Sequence, residues 1–305
     1  TQYGIFKFEP AIQVSSEFLL RTKVGGENSG SFSPPGTIFN YRFRIEDKDG
    51  NWIETEPQTL LYMDNRFTWE SVTKDLVTVY YYGPVKRRAE TILDVTSQTL
   101  VKMGDLLGAR ITRPIRLVVY NNYKDMSVAL PFVSQATSSG LITEGQAYGK
   151  EGVLLVFGGD PSVMGVTSHE VTHLLVDQAA EGIASFIPAW LNEGLAEYGN
   201  VEPGTAYSQA LERGIREGHL FPIRSMTNQP GNPDDVILFY GQSRSIVRYM
   251  VDSYGAQKLQ ALLRFIKEGK TIDSALKEAY GFDRVGLDNL WRKSIGAPPL
   301  STTEA

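Results

Sequence analysis

Two histidines four residues apart, His169 and His173, bracket a glutamate in the run Ser168-His169-Glu170-Val171-Thr172-His173-Leu174-Leu175. The chain has only three histidines, so this pair uses most of that residue type. On an α-helix, residues i and i+4 stand one above the other on one face. Both imidazoles can then reach a single Zn2+, with Glu170 beside the ion as a general base. Two other readings fit the same residues. One is a helix whose histidines merely pack. The other is a helix that starts at Thr167, with Glu170 closing a capping box.

Catalytic zinc takes three protein ligands and keeps one position open. Asp177 extends the same face, but at about 1.5 Å of rise per residue it stands on the order of 12 Å from His169 along the axis, too far to share one ion. A third histidine in the longer motif is excluded, because Val176 and Ala179 stand at its Gly and His positions. His219, in the polar stretch Arg216-Glu217-Gly218-His219, reads as surface.

A second element must therefore bring the third ligand. Pro188-Ala189-Trp190-Leu191-Asn192-Glu193-Gly194-Leu195-Ala196-Glu197-Tyr198, closed by Gly199, reads as a short helix with Pro in its first turn and Gly as its stop. It offers Glu193 and Glu197, four apart on one face. Trp190, Leu191, Leu195 and Tyr198 leave little of it free to face water. Gly194, costly inside a helix, marks a place where another backbone must come close.

These two stretches together resemble the gluzincin metallopeptidases, the thermolysin-like clan, and more closely the bacterial peptidase MA-like metallohydrolases. The likeness extends to Phe239-Tyr240-Gly241-Gln242-Ser243 and the helix after it, and covers roughly residues 67–296. It implies Zn2+ as cofactor, Glu193 as the third ligand and Glu197 as a carboxylate that orients a zinc histidine. It also implies Tyr240 as a tyrosine that stabilises the transition state, and a peptide or protein as substrate. Gluzincins keep a sheet edge for the substrate backbone just before the metal helix. That makes Val153, Leu154 and Leu155 candidate substrate-binding residues, against the reading of an ordinary buried strand. The G-x-M-E-N motif by which aminopeptidases of the clan hold a free α-amine is not in the sequence, which favours an endopeptidase, or an unknown specificity, over an aminopeptidase. A binding or scaffold protein that kept this fold without turnover is the rival from another class. Such a protein would be expected to have lost Glu170 or a ligand, and none is missing.

The elements that must position these residues follow from length and periodicity. A chain of 305 residues exceeds a comfortable single core and suggests two domains. Residues 1–62 read as a β-rich, immunoglobulin-like sandwich or part of one. Phe39, Tyr41, Phe43 and Ile45 alternate with polar residues as in a half-buried strand, and Asp47-Lys48-Asp49-Gly50 is a hairpin turn. Residues 63–305 read as a thermolysin-like α+β domain. Strands are expected over 76–81, 114–120 and 152–157, with a long amphipathic helix after the first, its buried stripe running from Ala89 to Leu107. Asp160-Pro161 would start the metal helix. Helices over 207–217, 242–253, 256–268, 272–279 and 284–294 would complete a helical half, with zinc in the cleft between the halves.

The net charge of −5 argues against nucleic acid or an anionic membrane as a main partner. No apolar run is long enough to span a bilayer. The absence of cysteine excludes disulfides and thiolate metal sites. The chain opens at Thr1 without a leader pattern, and an extracytoplasmic or cell-surface setting in a bacterium is the expectation.

Overall fold

A computed structural model gives the architecture and describes residues 32–46, 49–131, 145–180 and 186–300. The chain divides into two compact units, Thr1–Ser33 and Pro34–Ala305. The second begins with four short strands, β1 (Ile38–Tyr41), β2 (Arg44–Glu46), β3 (Trp52–Glu54) and β4 (Gln58–Leu61). They form two antiparallel ladders, β1 with β4 and β2 with β3. The unbroken half-buried strand expected here is interrupted after Tyr41, and Ile45 is 59% exposed. A two-stranded ladder offers little surface to bury a side chain against. Residues 1–31 of the expected sandwich, and Asp47 and Lys48 of the expected turn, lie outside the described residues. Buried Arg116 ties this region to the larger sheet, its Nε donating to the Gly36 carbonyl at 2.6 Å.

That five-stranded sheet is built from β5 (Glu70–Lys74), β6 (Val77–Tyr81), β7 (Ile115–Tyr120), β8 (Gly145–Tyr148) and β9 (Val153–Phe157). Its order is β5-β6-β7-β9-β8. The inner three run parallel and the outer two antiparallel to their neighbours. Inner parallel strands are covered on both faces, which is why they read as continuous apolar runs. Leu117, Val119, Leu154 and Val156 face the main core, while Val118, Tyr120, Val153 and Leu155 face a smaller one. The main core is closed by α1 (Lys86–Leu107), whose buried stripe includes Ala89, Ile92, Leu93, Leu100 and Met103, and by α3 (Val163–Ala180). The smaller core is closed by α2 (Tyr123–Val128) and by a ring cluster in which Phe67 stacks on Tyr82, centroids 4.1 Å apart.

This register corrects one expectation. Val153, Leu154 and Leu155 are fully buried, and β9 is hydrogen-bonded to β7 on one side and β8 on the other. They offer no edge to a substrate. Among the described residues the outer strand on that side is β8, Gly-Gln-Ala-Tyr, which has no apolar alternation to reveal it.

α3 starts at Val163, later than Asp160-Pro161 suggests. Asp160 instead makes a turn, its carboxylate accepting the Ser162 N–H at 2.7 Å and its carbonyl the Val163 N–H at 3.2 Å. Thr167 and Glu170 therefore lie within the helix, and the capping-box reading falls. The buried hydroxyls of Ser168 and Thr172 bond back to the carbonyls of Met164 and Ser168, at 2.9 and 2.8 Å.

The helical half comprises α4 (Ala189–Gly199), α5 (Thr205–Glu217), a 3-10 turn (Ile223–Ser225), α6 (Pro233–Tyr254), α7 (Ala256–Lys267), α8 (Ile272–Tyr280) and α9 (Arg284–Ser294). Pro188 caps α4 rather than occupying its first turn, and the N–H groups of Ala189 and Trp190 are taken by the carbonyls of Thr227 and Met226, both at 3.1 Å. At Gly194 a Cβ would stand 2.6 Å from the Ser243 carbonyl of α6, so the close backbone approach expected there is present. α6 begins well before Gln242: Asn232 caps it, Pro233 opens it, and Asp234 and Asp235 complement its dipole. Tyr240 thus sits inside a helix, not at its start. Under this half, α9 buries Asp288 and Arg292 as an ion pair at 2.7 Å. Asp288 takes the Ile223 N–H at 2.6 Å, and Arg292 donates to the Leu220 carbonyl at 3.2 Å. No helix among the described residues is long and apolar enough to cross a membrane.

Candidate metal centre

α3 presents His169 and His173 to Glu193 and Glu197 of α4. His169 Nε2 and His173 Nε2 are 3.1 Å apart, and Glu193 Oε2 lies 3.4 Å from each. The ligands of a tetrahedral ion, held at about 2 Å, lie about 3.3 Å from one another. The three atoms stand as three corners of such a site. Behind them, His169 Nδ1 is 2.7 Å from Glu197 Oε1, and His173 Nδ1 is 3.3 Å from Asn192 Oδ1. Both of those oxygens accept, so each ring keeps its proton on Nδ1 and turns the Nε2 lone pair inward. Glu193 Oε2 is buried and makes no hydrogen bond. With those tautomers the two Nε2 lone pairs and Glu193 Oε2 converge on one point, and a shared cation, a proton or a metal ion, answers that need. Two imidazoles and a carboxylate form a recurrent catalytic zinc set.

The electrostatics point the same way. Burial opposes charge on His169, yet Glu193 and Glu197 prevail and hold its pKa up at about 10. Burial likewise opposes charge on Glu193, and His169 and His173 hold its carboxyl far below the ordinary range. The pocket gathers positive charge at this point, and a metal ion would take the proton's place.

Glu170 projects from α3 beside His169, and its Oε2 accepts the Ala147 N–H of β8 at 3.0 Å. Tyr240 enters from α6, its ring centroid 6.0 Å from that of His169 and stacked on Tyr207 at 5.6 Å. Burial, then the charges of Glu193 and Glu170, push the Tyr240 phenol far above its ordinary pKa, so it remains a donor. Gln229 Nε2 donates both to Glu193 Oε1 and to the Tyr240 hydroxyl oxygen, each at 2.9 Å. The metal triad, Glu170, Tyr240, Gln229 and β8 residues Gly145 to Ala147 line one cleft of about 560 Å3. A larger hollow of about 930 Å3, lined by Arg110, Arg113, Lys150 and Arg264, shares only Asp177 with it and touches none of the triad.

The structure thus brings together His169, Glu170, His173, Glu193, Glu197 and Tyr240, and leaves Val153, Leu154 and Leu155 out of the cleft. Asp177 stands on the cleft wall, 3.7 Å from Arg113, and is no part of the triad. The His219 side chain is 67% exposed, as its surroundings suggest. Sequence reasoning missed Asn192, Gln229 and Ala147. Asn192 adjoins Glu193 and had a signal in that position; Gln229 and Ala147 had none.

The contact with Glu197 has a measurable consequence. Glu197→Ala should lower zinc affinity by about 10–100-fold, the effect of losing a group that orients a metal-bound histidine. Competition with a chromophoric chelator reads this directly, and an unchanged affinity would reduce Glu197 to packing.

The profile of the Peptidase MA superfamily matches residues 95–297. Among solved structures, the chain is similar to the M1 zinc metallopeptidase from Deinococcus radiodurans, with 11% sequence identity and a TM-score of 0.47. The match covers 88% of this chain and 62% of that one. No curated protein matches the sequence.

Proposed function

This chain belongs to the Peptidase MA superfamily, and on that premise we propose that it hydrolyses peptide bonds with zinc held by His169, His173 and Glu193. The observation that supports this most is the triangle of 3.1 and 3.4 Å with its unbonded Glu193 oxygen, set in a cleft beside a carboxylate that is not part of it. His169, His173 and Glu193 would hold a zinc ion there, which when bound would acidify water and polarise the scissile carbonyl. Glu170 takes the proton of the attacking water and returns it to the leaving amine. The Ala147 N–H fixes the carboxylate's orientation for both transfers. Tyr240 donates to the carbonyl oxygen as negative charge develops there, a contact worth most in the transition state.

The strand that aligns an extended substrate is β8, whose Ala147 N–H already points at Glu170. It carries no acidic residue to hold a free amine, which supports internal cleavage over removal of N-terminal residues. The test pairs metal analysis with cleavage of an internally quenched peptide library, free and N-acetylated. One zinc per chain and equal cleavage of both libraries is the expected result. Loss of cleavage on acetylation would make the protein an aminopeptidase, and a chain that takes up no zinc would end the reading.

Tyr240→Phe removes only a hydroxyl. It should lower kcat by about 10²–10³-fold, as when one oxyanion donor is lost, with zinc content and KM nearly unchanged. A kcat equal to that of the unmodified protein would assign the ring to packing against Tyr207.

A further inference from the structure

We propose that Gln229 is a positioning residue that aims the Tyr240 hydroxyl proton into the cleft and fixes which oxygen of Glu193 faces the metal. The proposal deepens the peptidase reading and rests on it.

An amide nitrogen only donates, and the two hydrogens of Gln229 Nε2 go to Glu193 Oε1 and the Tyr240 oxygen, each at 2.9 Å. The opposite orientation of the amide would set its oxygen 2.9 Å from the oxygen of a metal-facing carboxylate, acceptor against acceptor, so Glu193 itself dictates which end faces inward. With a lone pair of the Tyr240 oxygen engaged by Gln229, the phenolic proton has to point away from Gln229. A phenol that accepts one hydrogen bond also donates a stronger one. On the other partner, the bond occupies Oε1 of Glu193 and leaves Oε2 as the buried, unbonded atom that completes the triangle with the two imidazoles.

The backbone around Gln229 is anchored to both helices whose side chains it joins. Just before it, the carbonyls of Met226 and Thr227 take the first N–H groups of α4, which carries Glu193. Just after it, the Asn232 side chain accepts the Asp234 N–H and caps α6, which carries Tyr240. Pro230, next in the chain, restricts Gln229 itself to extended conformations. A short segment held at both ends thus delivers one amide group between a metal-facing carboxylate and a phenol.

Gln229→Met replaces the amide with an apolar chain of similar length at an exposed position, where folding is little affected. Measured at saturating zinc, its kcat should fall by about 10–100-fold with KM changed less than about twofold, since the contact through Tyr240 acts mainly in the transition state. Combined with Tyr240→Phe at saturating zinc, the same substitution should cause no further fall in kcat, because that part of its effect passes through the missing hydroxyl. Zinc affinity, read by chelator competition without substrate, should drop by about 10-fold or more in Gln229→Met and hold in Tyr240→Phe. Two outcomes overturn the proposal. One is a Gln229→Met protein equal to its parent in both kcat and zinc affinity. The other is a fall in kcat on Gln229→Met that is the same with and without Tyr240→Phe. An unmodified protein that binds no zinc or cleaves no peptide sinks the peptidase reading itself, and that control separates the two failures.

Discussion

Glu170→Gln should retain one zinc per chain and lose about 10²–10⁴-fold in peptide hydrolysis, the range set by removal of a general base. The substitution is a clean one in this site. Glutamine keeps an oxygen that can accept the Ala147 N–H, so the side chain holds the place Glu170 has at 3.0 Å from that amide. It takes no ligand from the metal, because Glu170 is not among the three converging atoms. What is removed is basicity, together with the negative charge that goes with it. Single-turnover hydrolysis, measured beside metal content on the same sample, separates a chemical defect from a binding one. Undiminished turnover would leave Glu170 without a role in the reaction and reassign proton transfer elsewhere in the cleft.

His173→Ala should abolish stable zinc binding, with a larger loss than the 10–100-fold or so that comes from removing an outer partner such as Glu197. The substitution removes one corner of the triangle and leaves two protein ligands 3.4 Å apart, His169 Nε2 and Glu193 Oε2. It also frees Asn192, which no longer has an imidazole to orient. The His173 side chain is 18% exposed on the cleft wall, so its removal opens toward solvent and not into the main core. Metal content after exhaustive desalting is the measurement, with circular dichroism to confirm the helices. Retention of one tightly held zinc by this variant would contradict the ligand set.

The metal triad is legible in the sequence because each of its parts carries a local pattern. Two histidines four apart on an apolar helix, and two glutamates four apart on another, each share a helix face and so stand out as candidates. The choice of Glu193 over Glu197 as ligand comes from the family resemblance. The inner strands are legible for a similar reason, since β7 and β9 are buried on both faces and need unbroken apolar runs. What fails depends on neighbours far away in the chain. Val153, Leu154 and Leu155 attract the role of outer strand because they lie just before the metal helix, where the resembled family keeps its sheet edge. The outermost strand on that side among the described residues, β8, has no apolar alternation to mark it. The start of α6 is written in Asn232-Pro233-Asp234-Asp235, but the later apolar stripe is the louder signal and draws the boundary to Gln242. Gln229 cannot be found in sequence at all. Its position depends on two helices meeting, and a lone glutamine before a proline carries no periodicity.

The ion pair of α9 bears on the order in which the molecule becomes competent. All three metal-facing residues exist once Glu193 has been synthesised, yet the segment that caps α4 and bears Gln229 is not secured by then. Its upstream end, Leu220 to Ile223, is pinned by Asp288 and Arg292, which are made much later. A nascent chain can thus hold His169, His173 and Glu193 while lacking, until α9 docks, the contacts that pin Leu220 to Ile223. The same dependence runs in reverse. A nick or premature stop that removes α9 would strip the floor from the Gln229 segment and uncover the Ile223 amide, although His169, Glu170, His173, Glu193 and Tyr240 are all still present.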